Sequence, residues 1–420
     1  MKTGHTQDPL ARRETTVTIA LIVAYASFYL CRANVDAAQL PFLGALGYDK
    51  TQWGAAMGWV ILGHSVGKVS MGALGDRIGG RMLLALCAFA SVLLSFSMSF
   101  APSLFVFAIL AACNRIFQAG GWSGVVHIAA RAFTPKERGA KMGLISISYV
   151  AGSPIALLIS AQVLEHSSSW RGLFRVNPAL LFVIAAFALL VLPKAEASDE
   201  VVSATDTGEH PPYRVVLAAL LRKPAFWVAI ALSTILTFIQ TCFVSWTVTY
   251  LQELSIKAGE GGAFSASVTK SAIFGVGGVI GALVAGRLSD AFGPGKRAPV
   301  MAAFLGAHVA AVLVLAHAPI TSSLTAAIVI GVCGLFLQGP YTLLLGAVVL
   351  DLGGKRVSST AVGFIDGAGY LAGAAAPPII GSLAQTRGWT TAFDLIAVAG
   401  ALAAITTGLW ALRSQTESSM

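Results

Sequence analysis

The apolar residues of this chain arrive in blocks of roughly 20, about the length of helix that crosses the hydrocarbon core of a bilayer. The 420 residues are 56% apolar and only 11% charged, whereas an ordinary soluble protein is about 25% charged. Such a chain avoids precipitation only if its outer surface faces lipid, so it is read as an all-α membrane protein. The 44 glycines agree, because small residues let membrane helices approach closely. The formal charge of +9 does not form a patch; it is spread over short segments between apolar blocks, which excludes nucleic acid as a partner and carries topology instead. Lys2, Arg12 and Arg13 precede a first block too long for a signal peptide, so that block is read as a retained helix. The five cysteines (Cys31, Cys87, Cys113, Cys242, Cys333) lie within apolar blocks, with no CxxC pair and no His/Cys cluster, so no metal or other cofactor is expected.

Twelve spans are predicted in two sets of six, with the first at 16–38, the tenth at 320–350 and the eleventh at 359–383. The polar stretch after Pro193 divides them into a first half 1–193, a linker 194–223 and a second half 224–420. Segments after even-numbered spans carry Arg77, Arg81, Arg131, Lys136, Arg138, Arg222, Lys223, Lys296 and Arg297; those after odd-numbered spans carry few, such as Lys50, Lys257 and Arg387. By the positive-inside rule both termini are cytoplasmic, in an inner membrane.

The halves repeat. Gly72, Asp76 and Gly79 recur as Gly286, Asp290 and Gly293, about 214 residues later, and Trp170/Phe174 recur as Trp389/Phe393 at about 219. Two echoes at nearly one offset imply duplication, as in transporters built from repeated halves. In the loop motif, Gly72 and Gly286 would let helices meet closely, and Asp76 and Asp290 would accept hydrogen bonds from a helix N-terminus. Arg77 and Arg81 could pair with the other half, making these loops candidate gates; a plain topological anchor is the competing reading.

A charge inside the bilayer costs at least about 2.5–3.5 kcal/mol, so each one needs a reason. Arg32, mid-span in the first block, can hold a phosphate or carboxylate with two parallel hydrogen bonds; the alternative is a helical pair with Asp36. Lys68 and His64 share a face of span two and are candidates for the same anion. Arg115, Gln118 and Trp122 form a strip on span four expected to line the same cavity. Gln240, in span seven, could read a neutral part of the substrate. Asp366, in span eleven, and Asp36 are the proton-coupling candidates; Asp366 could equally neutralise a basic residue across the cavity.

The loop motif is the signature of the major facilitator superfamily. Further matches run along nearly the whole chain: Tyr29, Arg32 and Asn34; Gly67 and Lys68; Asn114, Phe117, Gln118, Gly120, Gly121 and Trp122; Trp246, Tyr250 and Leu251; Gly339 and Pro340; Gly369, Tyr370 and Gly373. Together they resemble the organophosphate:phosphate antiporters. The resemblance implies the major facilitator fold, twelve helices in two pseudo-symmetric halves around a central cavity. It implies exchange of an organic phosphate for inorganic phosphate, with Arg32 and Lys68 at the family's basic positions and Tyr370 within a matched segment. Three positions depart: Gln240 stands where the family has a second basic residue, Tyr149 where it has a histidine, and Gly275 near an acid.

The leading expectation is therefore alternating-access antiport of a small organophosphate or phosphonate anion against phosphate, by a monomeric functional unit. The competitors are a proton-coupled carrier of organic carboxylates and a transporter-like membrane sensor. An enzyme is not expected, since no nucleotide loop, nucleophile motif or metal cluster is present in the sequence.

Overall fold

A computed structural model describes residues 9–133, 141–142, 144–145, 147–167, 169–192, 221–261, 264–292, 297–345 and 364–418. These residues are helical apart from short connections. The first half contains α1 (Pro9–Ser27), α2 (Leu30–Leu46), α3 (Lys50–Ile78), α4 (Gly80–Met98), α5 (Leu104–Ala132), α6 (Ile147–His166) and α7 (Leu173–Val191). The second contains α8 (Pro224–Lys257), α9 (Phe264–Phe292), α10 (Arg297–His317), α11 (Ser323–Leu343), α12 (364–373), α13 (Ala376–Thr386) and α14 (Trp389–Ser418). Nine stretches among the described residues are long and apolar enough to cross a membrane. The other three expected spans are helical at their expected places: α3, which carries Lys50, His64, Lys68, Asp76 and Arg77, then α6, and the pair α12–α13. The linker 194–223, the end of span ten and the start of span eleven fall largely outside the described residues. Large apolar side chains face outward, such as Leu190 at 82% exposed and Phe105 at 73%, as a lipid-facing wall requires.

The first span is longer than the predicted 16–38. It runs from Pro9 to Leu46 because a membrane helix tolerates Pro41, and it stops only at Gly47, whose positive φ of 73° closes the last turn through its N–H to Leu43 O. One irregular turn at Phe28–Tyr29 separates α1 from α2. There the backbone switches to three-residue bonds: Cys31 N–H to Phe28 O and Arg32 N–H to Tyr29 O. Side-chain amides attach to the carbonyls that follow. Asn177 donates to Leu30 O at 3.1 Å, and Asn114 and Gln118 donate to Cys31 O at 3.0 and 2.9 Å. This turn is the base on which Arg32 stands.

The sequence repeat is also a packing repeat. A Cβ on Gly63 or Gly67 of α3 would meet the carbonyls of Ala112 or Ile116 on α5, at 2.8 and 2.4 Å. At the same offset of about 214 residues, a Cβ on Gly277 or Gly281 of α9 would meet the carbonyls of Gly331 or Leu335 on α11, at 2.0 and 1.9 Å. The Trp–Phe echo has a physical role as well. Trp170 and Phe174 make tilted and edge-to-face contacts with Phe42 and Phe107, while Trp389 and Phe393 meet Tyr250 edge-to-face. The halves meet where α3 packs on α13, α6 on α9 and α2 on α8. No described residue lies within 4 Å of a Cβ placed on Gly286.

Gly281→Ala forces a methyl group onto a backbone carbonyl, an overpacking that costs about 1–3 kcal/mol or more. It should lower the thermal unfolding temperature of the detergent-purified protein, whereas Gly286→Ala should leave it unchanged; equal melting of the two variants would contradict the crossing.

Candidate functional site

The irregular turn and helices α2, α3, α5 and α6 on one side, and α8, α9, α11 and α12 on the other, enclose a cavity of about 180 Å³. That is smaller than the roughly 300–1,000 Å³ of sites for drug-sized ligands and suits a compact molecule. The first half brings Tyr29, Arg32, Asp36, His64, Arg115 and Ser153 to its wall. The second brings Thr237, Gln240, Thr241, Ser245, Thr247, Ser271, Gln338 and Tyr370. Among the described residues at the wall, the arginine and carboxylate groups come from the first half.

Arg32 is held from behind. Its Nε donates to Gln118 Oε1 at 3.1 Å, and its guanidinium carbon lies 4.6 Å from the centre of the Tyr29 ring. Gln118 also donates to Cys31 O, so one amide grips the backbone and the head group of adjacent residues. Gln118 is fully buried and does not line the cavity; it positions Arg32, which corrects the expectation that it would meet substrate. Trp122 likewise stands away from the cavity, with its ring 5.0 Å from that of Tyr25.

His64 is buried, with Nδ1 3.2 Å from the carbonyl of Arg115. A carbonyl only accepts, so Nδ1 carries the proton of this bond. The imidazole lies edge-on to Tyr370, centres 4.9 Å apart. Asp36 shares the cavity wall with Arg32 of its own helix and Arg115 of α5.

Lys68 and Asp366 do not line this cavity. They form an ion pair with each other across the halves, and the ammonium lies 4.5 Å from the centre of the Tyr370 ring. Of the two roles expected for Asp366, neutralising a basic residue of the opposite half is the one this geometry displays. Tyr149 lies on α6 and its side chain is outside the description, as are those of Gly72, Asp76 and Asp290. Arg77 is exposed in the last turn of α3. Arg81 donates to Leu189 O at 2.6 Å, which ties α4 to the C-terminal end of α7 within one half rather than bridging the two.

At the end of the bundle opposite the chain termini, the halves are joined by a contact that sequence reasoning missed. Lys50 Nζ lies 2.9 and 3.1 Å from the carboxylate oxygens of Glu253, and the Trp389 indole N–H donates to the same carboxylate at 2.7 Å. Lys50 read as an ordinary loop charge and Trp389 only as a repeat marker. Beside it, Gly54 and Gly58 sit against the carbonyls of Pro377 and Ala374. At this end of the second half, Lys270 bonds Glu260 and Ser323; Glu260 accepts from the Ser323 hydroxyl and N–H, which holds its carboxyl down to about 2. The hydroxyls on the wall were missed too, although Thr237, Thr241 and Ser245 recur at helical spacing on one face.

A multi-helix membrane bundle with a charged cavity between two repeated halves is the architecture of a secondary transporter. The sequence profile of the Major Facilitator Superfamily matches residues 19–377 and 271–419, and the chain belongs to that family. It is 25% identical to the glycerol-3-phosphate transporter of Bacillus subtilis over 92% of this chain and 89% of that one. It is 23% identical to a probable hexose phosphate transport protein of Chlamydia pneumoniae, covering 91% and 88%. It is 25% identical to the membrane sensor protein UhpC of Salmonella typhimurium, covering 94% and 90%. These relatives bear out the resemblance to the organophosphate:phosphate antiporters. Among solved structures, a bacterial homologue of the human lysosomal transporter Spinster superposes with a TM-score of 0.76 at 15% identity, over 97% of this chain and 98% of that one. The nucleoside transporter NupG superposes at 0.73 and 13%, over 94% and 98%, and both share the fold. The protein is a multi-pass transporter rather than an enzyme.

Gln118→Ala removes the support of Arg32 without touching the cavity wall. It should raise the KM for the anionic substrate by about tenfold, the equivalent of one hydrogen bond to a charged group at roughly 1.5 kcal/mol, and Gln118→Glu should restore part of that loss. Transport kinetics that are the same for Gln118→Ala and the parent would refute the positioning role.

Proposed function

We propose that this protein carries a small phosphorylated or phosphonate anion across a cell's inner membrane in exchange for inorganic phosphate. The observation that carries this reading is the pair Arg32 and Arg115 on the wall of one compact cavity. Guanidinium groups match phosphoryl oxygens with paired hydrogen bonds and keep their charge at any physiological pH. The relatives whose names include glycerol-3-phosphate and hexose phosphate support the same class of cargo.

In this reading the halves rock about the cavity, and both termini are cytoplasmic, as the distribution of Lys and Arg favours. The Lys50–Glu253–Trp389 latch then closes the outer side, and its opening admits substrate from outside. A single chain forms the whole pathway, so the functional unit is a monomer. A proton-coupled carboxylate carrier is the second reading, favoured by Asp366, which could release Lys68 on protonation. A sensor, as one relative is named, would bind the same ligand without steady flux.

The test is uptake of labelled phosphate into proteoliposomes preloaded with unlabelled phosphate. Rapid exchange is expected from the parent protein. Arg32→Lys should weaken it about tenfold or more, because a lysine keeps the charge and loses the paired geometry. Flux that depends on a pH gradient and not on internal phosphate would favour the carboxylate reading, and binding without flux would favour the sensor.

A further inference from the structure

Two amides of the second half face the cavity without a partner. Gln338, on α11, is only 6% exposed and lines the cavity, yet its side chain makes no hydrogen bond among the described residues. Gln240, on α8, lines the same cavity and is likewise unpaired among them. An amide withdrawn from water and left without a hydrogen bond is costly, and a guest that pairs with it offsets that cost.

The helices set these amides at one depth. Thr237 Oγ1 on α8 lies 3.5 Å from the Tyr341 hydroxyl on α11. The seventh and tenth spans cross the membrane in opposite directions. Gln240, three residues after Thr237, and Gln338, three before Tyr341, are therefore displaced the same way from that contact, by about 4.5 Å of helix rise. A step of three also keeps each amide near the face of its contact residue. Glycines fix the root of Gln338. A Cβ on Gly334 would run into the carbonyl of Phe274 on α9, and one on Gly339 would meet Ala285 Cβ at 2.7 Å. Gly278, on the cavity wall, leaves the space that the Gln338 side chain fills, since a Cβ there would lie 3.3 Å from Gln338 Cβ.

We infer that Gln240 and Gln338 are the specificity-determining pair for the organic part of the cargo, and that they select a part bearing hydroxyl groups over an apolar one of the same size. The inference rests on the proposed function and assigns the residues that read what is attached to the phosphoryl group. Each amide offers an N–H donor and a carbonyl acceptor, and a hydroxyl is the small group that answers both with one atom. An alkyl group in the same place leaves both amides unpaired, and a site built to hydrogen-bond a hydroxyl rejects the analogue that lacks it. The pair stands on α8 and α11, across the cavity from Arg32 on α2 and Arg115 on α5, so head and tail of one small molecule are read by different halves.

The experiment measures exchange of labelled phosphate in proteoliposomes and its inhibition by unlabelled glycerol phosphate and by propyl phosphate. The two esters share head group and chain length, so the ratio of their half-inhibiting concentrations reports the hydroxyls alone. The parent protein should need at least about tenfold more propyl phosphate, on the scale of two neutral hydrogen bonds. Gln338→Met keeps the length of the side chain and removes the amide, so it should bring the ratio below about threefold, the scale of one remaining bond. Gln240→Met should do the same, and carries the test if the first variant fails to fold. The ratio is taken within each variant that exchanges phosphate, so losses of folded protein or of head-group binding cancel. Equal inhibition of the parent by the two esters, or a parental ratio in a folded Met variant, overturns the inference and leaves phosphate exchange standing. Absence of phosphate exchange by the parent overturns both.

Discussion

Two guanidinium groups inside a bilayer-spanning bundle are the constraint around which this structure is organised. Each costs at least about 2.5–3.5 kcal/mol to place there, and more where no partner relieves it. The first half relieves them locally. Arg32 rests on Gln118 and the face of Tyr29, and Asp36 shares the cavity wall with Arg32 and Arg115. The turn beneath is fixed by Asn177, Asn114 and Gln118, whose amides bind two consecutive backbone carbonyls. Helices α5 and α7 thereby hold the turn of the first span, and the close α3–α5 crossing places His64 against Arg115.

The second half answers with dipoles. Its wall is made of hydroxyls and amides on α8, α9 and α11, which need no counter-charge and can slide past a bound molecule. Full charges cross between halves on either side of the cavity, at Lys50–Glu253 and at Lys68–Asp366. Lys50–Glu253 is partly exposed and contributes about 0–1 kcal/mol, whereas Asp366 is buried, so losing either partner of Lys68–Asp366 leaves an uncompensated charge. The glycine-lined approaches of Gly54 and Gly58 to α13 let the latched end close without side chains in the way. The first half thus brings guanidinium groups to the cavity, and the second brings hydroxyls and amides.

The coarse design was legible because it follows from periodicity and charge. Apolar blocks gave the helices, and the echoes around Gly72/Gly286 and Trp170/Trp389 located the duplication that reappears in the glycine crossings and aromatic stacks. Arg32, His64, Arg115, Gln240 and Tyr370 lie on the cavity wall where span position suggested. What escaped were relations between distant residues. Lys68 and Asp366 are 298 positions apart, and neither local sequence names the other as partner. The break at Phe28–Tyr29 contains no Gly or Pro; the amides that attach to its backbone lie on other helices. Gln118 was recognisable as polar but not as facing away from the cavity, because a helical face is known only once its neighbours are placed. Wall hydroxyls look the same in sequence as hydroxyls that merely pack.

The central claim is that the anion is held by the first half alone. Calorimetric titration of inorganic phosphate into the detergent-purified protein tests it most directly. Arg32→Gln and Arg115→Gln should each weaken binding by about tenfold or more, as loss of a charge-assisted contact of roughly 1.5–3 kcal/mol requires, while Gln240→Ala should change it by less than about threefold, on the scale of one neutral hydrogen bond. Phosphate affinity that survives the loss of Arg115 and falls with Gln240→Ala would contradict the account and move the anion to the other half.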